Sequence, residues 1–285
     1  MEKKIRDKRC DDCFRLNIQK LKDKFPNTDF SPVDKRLEEM FENSHYSSPE
    51  IQQLLTEAYK QQIGLEDLYQ AEKKISNRIG QALYDEWKIK IKQMTDPLTT
   101  AVRLSVAANI LDYGSHHPIN IDEAITKVLE TEFAIDHSDL LFEKLKEARN
   151  ILYLCDNTGE IYLDKLLIET VGIHQPVIAV RGGAVLNDAL MEDAEEAGLH
   201  RLGKLISNGS NAPSTILSDC SPGFLEIYEQ ADLIIAKGMG NLEGLVYEPN
   251  PNIFFLLMAK CDVISDLLRV SKGSFVVAYS MELWN

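Results

Sequence analysis

The first half of the chain carries apolar residues at helical spacing. Between Leu65 and Met94, apolar side chains recur three or four positions apart, with lysine and glutamate filling many of the other positions. This spacing predicts one long helix with a single apolar stripe. The stripe consists of Leu68, Ala71, Ile75, Ile79, Leu83, Trp87 and Ile91. Asp96-Pro97 should end this helix, because a residue that precedes proline avoids the helical region.

Shorter segments in the same half also have helical periodicity. A second helix is predicted from Leu98 to about Asp112. Further helices are predicted over 3–24, 49–62, 122–131 and 138–148. We therefore expect residues 1–148 to form an all-helical cap subdomain.

The pattern changes after residue 150 to short apolar runs that stop at polar residues. Five such runs occupy 151–155, 176–180, 231–236, 253–257 and 274–278, and helical stretches such as 162–171 and 188–197 lie between them. Nearly continuous apolar strands that alternate with helices are typical of a mostly parallel sheet covered on both faces. The sequence thus predicts an α/β fold: a Rossmann-like, three-layer αβα subdomain over 149–285, with the helical cap before it.

Composition excludes several classes of protein. The 285 residues include 45 acidic and 31 basic side chains, a net charge of −14, whereas nucleic-acid binding requires clustered lysine and arginine. No apolar run approaches the ~20 residues of a membrane span, and the charged start of the chain has no apolar signal core. Five scattered cysteines suit a reducing compartment. We expect a cytoplasmic protein that binds neither nucleic acid nor a membrane; the oligomeric state is not specified.

Polar residues follow the first two predicted strands, where an open α/β sheet binds its ligands. Asp156 and Asn157 end the first strand, and Asn187 and Asp188 follow the second. Each aspartate alone could simply cap the next helix. Two carboxylates at adjacent strand ends would repel one another unless they share a cation, and Mg²⁺ takes one or two carboxylates together with waters and phosphate oxygens.

Further polar positions are candidates for substrate binding. Gly209 and Ser210 lie in a segment of small polar residues that could cradle a phosphate or form an ordinary turn. Lys237 ends the third strand, where it could neutralise a phosphoryl oxygen or be solvated, and Lys260 is a second basic candidate. In the helical half, Asn109 and Asp112 share one helix face and could reach the active edge of the sheet.

Cys10-Asp11-Asp12-Cys13 is a lone CxxC motif. Zinc would need two further ligands, and no partner pair with finger spacing occurs. A redox motif would open a helix after a strand, whereas this one lies in a helical region. We interpret it as structural or auxiliary. HExxH, GxSxG, Walker A and dinucleotide-binding motifs are all absent from the sequence.

Taken together, the order and spacing of these motifs resemble the DUF89 family, the metal-dependent damage-control phosphatases. The resemblance rests on several short motifs across the whole chain, and the N-terminal CxxC resembles the stand-alone microbial branch. The motifs are Asp156-Asn157-x-Gly159-Glu160 with Asp164, Asn187-Asp188, Lys237-Gly238-x-x-Asn241, Asp96-Pro97, Asn109-x-x-Asp112-x-Gly114 and Lys260-Cys261.

The resemblance implies a divalent metal, Mg²⁺, Mn²⁺, Co²⁺ or Ni²⁺, bound by Asp156, Asn157 and Asp188. It implies hydrolysis of small phosphate monoesters, such as sugar phosphates or phosphopantetheine-like metabolites, in metabolite damage control. On this hypothesis the catalytic residues are Asp156, Asp188 and Lys237. The substrate-binding residues would be Asn109, Asp112, Glu160, Gly209, Ser210, Asn241 and Lys260.

Two alternatives remain open from the sequence. Some members of the family have been assigned a protein carboxyl methyltransferase activity that uses S-adenosylmethionine. Such an enzyme would have a glycine-rich loop after the first strand, whereas Asn157-Thr158-Gly159 is poor in glycine. The second alternative is a non-catalytic protein that binds phosphorylated metabolites on the same fold, which fold alone does not exclude.

Overall fold

The computed structural model describes residues 7–42, 45–108, 121–248, 250 and 252–283. No helix in these ranges is long and apolar enough to cross a bilayer. The α-helices are α1 (Asp11–Lys24), α2 (Ser31–Glu42), α3 (Ser48–Ile63), α4 (Gln70–Lys90), α5 (Pro97–Ala107), α6 (Ile121–Glu130), α7 (Ser138–Glu147), α8 (Glu160–Val171), α9 (Met191–Glu196), α10 (Pro222–Gln230), α11 (Gly238–Leu245) and α12 (Asp262–Leu268).

The described residues form one seven-stranded sheet in the order β1-β7-β6-β5-β2-β3-β4. The strands are β1 (Ile135–Asp136), β2 (Ile151–Leu154), β3 (Val177–Val180), β4 (Lys204–Ser207), β5 (Leu233–Lys237), β6 (Ile253–Met258) and β7 (Phe275–Tyr279). All neighbouring strands are parallel except β6 and β7, which pair antiparallel. The predicted α/β fold with a mostly parallel sheet is therefore confirmed.

Two strands were not predicted, and both lie at an edge of the sheet. β1 has only two residues, too few for a pattern. β4 begins with an exposed lysine and has no fully buried residue, so its sequence does not resemble the apolar central strands. An edge strand is partly solvated and needs no continuous apolar run.

Alternate residues of the central strands face two separate cores. On β2, Ile151 and Tyr153 join the core that includes α4 to α9, whereas Leu152 and Leu154 join the core that includes α10 to α12. This division follows from the two-residue period of a strand. The result is the three-layer αβα arrangement that the sequence predicts.

The helix boundaries follow from local capping. The side chain of Asp96 accepts a hydrogen bond from the Thr99 N–H, and Pro97 opens α5, where its missing N–H is not needed. The predicted break at Asp96-Pro97 is therefore confirmed. At α3, Ser47 and Glu50 form a capping box, and Gly64 ends the helix in the left-handed region.

The apolar stripe predicted along α4 is correct only in the second half of the helix. Leu83, Trp87 and Ile91 are buried, but Ile75 is 38% exposed. In the first half, the buried face consists of polar and small residues, including Asn77 and Gly80. That face packs on the loop after β2, so polar contacts with the loop replace apolar packing.

The first three helices have an apolar core of their own, built from side chains such as Phe14, Leu37 and Tyr59. By contrast, residues of α4 to α7 belong to the core on one face of the sheet. The division of the chain at residue 148 into two subdomains stays a prediction.

Candidate active site

The site lies at the point in the sheet where the strand order changes direction, between β2 and its two neighbours. β2 lies between β3 and β5, and the chain continues from β2 to β3 on one side, while β5 and β6 lie on the other. The carboxyl ends of parallel strands at such a switch point form a crevice. Asp156, Arg181 and Lys237 stand at or just after the ends of β2, β3 and β5.

Backbone hydrogen bonds hold the loops after β2 and β3 side by side. Asn157 and Asp188 form an antiparallel β-bridge. The Ala189 N–H donates to the Asp156 carbonyl at 2.8 Å, and the Thr158 N–H donates to the Asn187 carbonyl at 2.9 Å. The structure therefore brings together the three predicted metal ligands, although Asp188 lies 32 positions after Asp156 in sequence.

These three side chains line a cavity of about 270 Å³. One wall is the sheet edge, with Asp156, Asn157, Asp188 and Lys260. The first helices of the chain also line this cavity, through Cys10, Cys13, Phe14, Asn17, Ser48, Pro49 and Gln52. The part that α1 and α3 play was not predicted, because nothing in their pattern shows which of their polar residues line a cavity.

The two aspartate side chains lie close together, and both have little exposure to solvent. Asp156 is 8% exposed and Asp188 is 3% exposed. Burial, together with the negative charges of Asp188 and Glu160, raises the pKa of Asp156 well above its ordinary value. Arg181 and Lys260 oppose this shift.

Arg181 bridges the two carboxylates. Its Nε donates to Asp188 Oδ2 at 2.6 Å, and its Nη2 lies 3.4 Å from Asp156 Oδ1. Burial lowers the pKa of Arg181, but Asp188 and Asp156 raise it by more, so the guanidinium stays charged. The sequence analysis missed this residue, because an arginine at a strand end is more often solvated; its position directly after β3 was the available signal.

The donor set fits a hard divalent cation. Asp156 and Asp188 supply carboxylate oxygens and Asn157 an amide oxygen, the donor types that Mg²⁺ and related ions prefer. Burial and repulsion from Asp188 raise the pKa of Asp156, and a cation bound between the carboxylates would offset both effects. Within the described ranges, no group of three or more His, Cys, Asp or Glu side chains is arranged to hold a metal ion, so a metal here would depend on Asn157 as well as the two carboxylates.

Gly238 allows Asp156 to occupy its position. The residue has a φ of +76°, and a Cβ there would lie 1.9 Å from Asp156 Oδ2. Only glycine satisfies both the left-handed backbone and this close approach. Gly238 is therefore required for the Asp156 carboxylate to lie where it does.

Lys237 is fully buried and forms three hydrogen bonds inside the protein. Its Nζ donates to the Ser105 carbonyl at 3.0 Å, to Glu160 Oε1 at 2.7 Å and to Asp164 Oδ1 at 2.5 Å. Burial lowers the pKa of Lys237, but Asp164 and Glu160 raise it by more, so it remains protonated. In this conformation, Lys237 does not line the cavity, and it contacts Asn157 only through Glu160, which accepts from Asn157 Nδ2 at 3.2 Å.

Of the predicted substrate-binding residues, Lys260 alone among those described lines the cavity. The Asn241 side chain accepts from Arg181 at 2.9 Å and donates to the Lys237 carbonyl at 2.8 Å. Ser210 donates to Asp219 Oδ2 at 2.5 Å. Gly209 packs so closely on Gly182 that a Cβ on Gly182 would lie 2.4 Å from the Gly209 carbonyl carbon. The predicted residues Asn109 and Asp112 lie outside the described residues.

Asn77 was also missed by the sequence analysis. Its Oδ1 accepts from the Gly159 N–H at 2.9 Å, and its Nδ2 donates to Asp193 Oδ1 at 2.9 Å. One amide of α4 thereby ties the loop after β2 to α9. Asn77 lies in a helix whose pattern is amphipathic, so its polar side chain was expected to be solvated.

An open α/β sheet with a carboxylate pair at its switch point is typical of enzymes that bind a cation and an anionic metabolite. The family model described as "Damage-control phosphatase ARMT1-like domain" matches residues 8–276. The chain belongs to this family, and the DUF89 resemblance is confirmed.

Individual relatives agree with this assignment. The chain is 38% identical over 218 residues, 75% of either chain, to a damage-control phosphatase of Pyrococcus horikoshii. It is 31% identical over 253 residues to a damage-control phosphatase of Archaeoglobus fulgidus, covering 86% of this chain and 87% of that one. A crystal structure of a DUF89 family protein from Pyrococcus horikoshii superposes with a TM-score of 0.85 at 30% identity, covering 98% of this chain and all of that one.

Proposed function

We propose that this protein is a metal-dependent phosphatase that releases orthophosphate from small phosphate monoesters in metabolite damage control. The observation that carries the proposal is the pair of buried carboxylates, Asp156 and Asp188, facing one metabolite-sized cavity beside Asn157. Two relatives bear the name damage-control phosphatase, which supports the reaction class.

Asp156, Asn157 and Asp188 would hold the divalent cation, with Mg²⁺, Mn²⁺, Co²⁺ and Ni²⁺ as candidates. When bound, the cation would neutralise charge on the phosphoryl group of the substrate. The group that attacks the phosphorus would be a water molecule or a carboxylate.

The other residues would prepare the site for this chemistry. Arg181 holds both carboxylates at fixed positions, which lowers the reorganisation needed when a cation arrives. Lys260 gives the cavity wall a positive charge that attracts a phosphate group. Lys237 would act indirectly, by holding Glu160 in the orientation that accepts a hydrogen bond from Asn157.

The size and walls of the cavity support a small polar substrate. Asn17, Ser48 and Gln52 line the same cavity as the carboxylates. Such groups can hydrogen-bond the hydroxyls of a sugar phosphate or of a phosphopantetheine-like compound. The fit favours small metabolites over macromolecular substrates.

The direct test is phosphate release from a panel of phosphate monoesters, with each of the four metals and with EDTA. We expect release that requires metal and falls ~100-fold or more in Asp156→Asn, the loss typical of one key charge-stabilising group. Glu229→Gln, on the exposed face of α10, is the matched control and should keep wild-type activity.

The same panel separates the two alternatives. Binding of phosphate esters without any release would favour a non-catalytic binding protein. Metal-independent binding of S-adenosylmethionine with transfer of its methyl group to protein carboxylates would favour the methyltransferase. Either result, from folded protein, would contradict the phosphatase proposal.

A further inference from the structure

Three of the five cysteines line the proposed substrate cavity. Cys10 and Cys13 reach it from the start of α1, and Cys261 reaches it from the residue that precedes α12. The remaining two, Cys155 and Cys220, are buried away from the cavity wall. All five are free thiols. None of the roles proposed above uses the three thiols at the cavity.

The backbone geometry of the CxxC pair allows a disulfide between Cys10 and Cys13. Cys10 is the N-cap residue of α1, with helical dihedral angles, and Cys13 is the third residue inside the helix. Helical residues three apart have Cα atoms about 5 Å from one another, within the roughly 4.4–6.8 Å that a disulfide spans. A 3-10 turn over Lys8–Cys10 runs directly into α1, so the motif lies near the start of a helical segment.

The two thiols differ in access to solvent. Cys13 is exposed, so a small oxidant in solution can reach it. Cys10 is partly buried against the core of the first three helices. Burial raises the pKa of Cys10, and the side chain of Ser48 opposes this rise. Cys13 is therefore the accessible thiol and Cys10 the shielded one.

We propose that Cys10 and Cys13 form a reversible dithiol–disulfide site in the wall of the substrate cavity, oxidised by a small-molecule disulfide. The Cys13 sulfur attacks one sulfur of that disulfide, breaks its S–S bond and releases one small thiol. The Cys10 sulfur then attacks the Cys13 sulfur of the mixed disulfide, forms the Cys10–Cys13 bond and releases the second small thiol. The two protein thiol protons end on the two released thiols.

Oxidation would act on substrate binding rather than on the metal ligands. Ser48, the partner of the Cys10 thiol, also lines the cavity. When Cys10 turns toward Cys13, the contact with Ser48 is lost, while Asp156 and Asp188 stay held by Arg181. We expect KM to rise about fivefold, the factor for one neutral hydrogen bond, with kcat unchanged; this part rests on the proposed phosphatase function.

The dithiol is tested without any activity assay. The protein is incubated with glutathione disulfide, and free thiols are counted after denaturation and trapping. We expect the count to fall from five to three, peptide mapping to show a Cys10–Cys13 link, and dithiothreitol to restore all five thiols. Cys13→Ala should form no intramolecular disulfide, whereas the matched control Cys220→Ala should lose two thiols as the wild type does.

Three results would overturn the proposal: five thiols that persist at full excess of oxidant, glutathione that stays attached to Cys13, or a link that joins Cys10 to Cys261. If the dithiol forms but no ester is hydrolysed in either redox state, the proposed phosphatase function is wrong and the dithiol site is not contradicted. If hydrolysis occurs and KM is the same before and after oxidation, the predicted effect of the disulfide on substrate binding is wrong.

Discussion

Arg181 Nε donates to Asp188 Oδ2 at 2.6 Å, and the same guanidinium reaches Asp156. One buried cation therefore serves two buried carboxylates that the fold places at neighbouring strand ends. The two carboxylates still repel one another: burial, Asp188 and Glu160 raise the pKa of Asp156 although Arg181 and Lys260 oppose the rise. This repulsion is the physical reason to expect a divalent cation in the cavity.

Removing the arginine should make stability depend on metal. In Arg181→Met, both carboxylates lose their counter-charge, and we expect the free energy of unfolding to fall by about 3–5 kcal/mol in EDTA. Saturating Mn²⁺ should restore more stability to the variant than it adds to the wild type. Urea denaturation measures this, with Arg15→Met as a control for an exposed ion pair; equal metal effects in variant and wild type would contradict the account.

Lys237 should contribute to stability through its two carboxylates. Lys237→Met leaves Glu160 and Asp164 buried without their cation, and we expect a loss of about 3–5 kcal/mol in the free energy of unfolding. Lys272→Met breaks an exposed pair with Asp262 and should change it by about 1 kcal/mol or less. A Lys237 variant as stable as the Lys272 variant would show that the buried pairs are not important to the fold.

Gly238→Ala tests the close approach to Asp156. A Cβ at this position meets Asp156 Oδ2, and the φ of +76° disfavours any side chain by about 1–2 kcal/mol. We expect phosphate release to fall ~100-fold because the carboxylate is displaced. Gly223→Ala is the matched control, since nothing lies within 4 Å of its added Cβ, and it should keep wild-type rates.

Ionisation of Tyr84 should lower the free energy of unfolding at alkaline pH. Burial, followed by its hydrogen bond to Glu169, raises the pKa of Tyr84 to about 12 from 10.0. The unfolded chain therefore releases this proton first, and stability falls as pH rises from about 10 to about 12. Unfolding measured across this range should show a smaller loss in Tyr84→Phe; equal slopes in both proteins would contradict the assignment.

The sequence predicts the parts of the site that depend on strand ends. Asp156, Asn157 and Asp188 each follow an apolar strand, and parallel strands must end at one edge of the sheet. That rule places Asp156 and Asn157 at the edge, and the β-bridge between Asn157 and Asp188 brings the loop after β3 beside them. Their role as metal ligands stays a prediction, which the geometry supports.

The environment of Lys237 could not be predicted in this way. Its partner Asp164 comes from α8, 73 positions away, and the Ser105 carbonyl comes from α5, 132 positions away. A strand-end lysine has the same local pattern whether it is solvated or fully buried. Only the packing of α5 and α8 over β5 distinguishes the two cases.

The wall formed by α1 and α3 also lay beyond the sequence pattern. Helical periodicity identifies the apolar faces that build their shared core, but polar residues such as Asn17 and Gln52 are then assigned to solvent. In the structure, these residues line the same cavity as Asp156 and Asp188. Substrate specificity is therefore the part of the function that the sequence specifies least.

The central claim is that Asp156 and Asp188 hold a divalent cation that phosphate release requires. The most direct test is the rate of phosphate release against Mn²⁺ concentration for the wild type and Asp188→Asn, using the best ester of the panel. We predict saturable activation of the wild type, and in the variant a rate lower by ~100-fold or more at every Mn²⁺ concentration. Equal rates and equal metal dependence in the two proteins would contradict the claim.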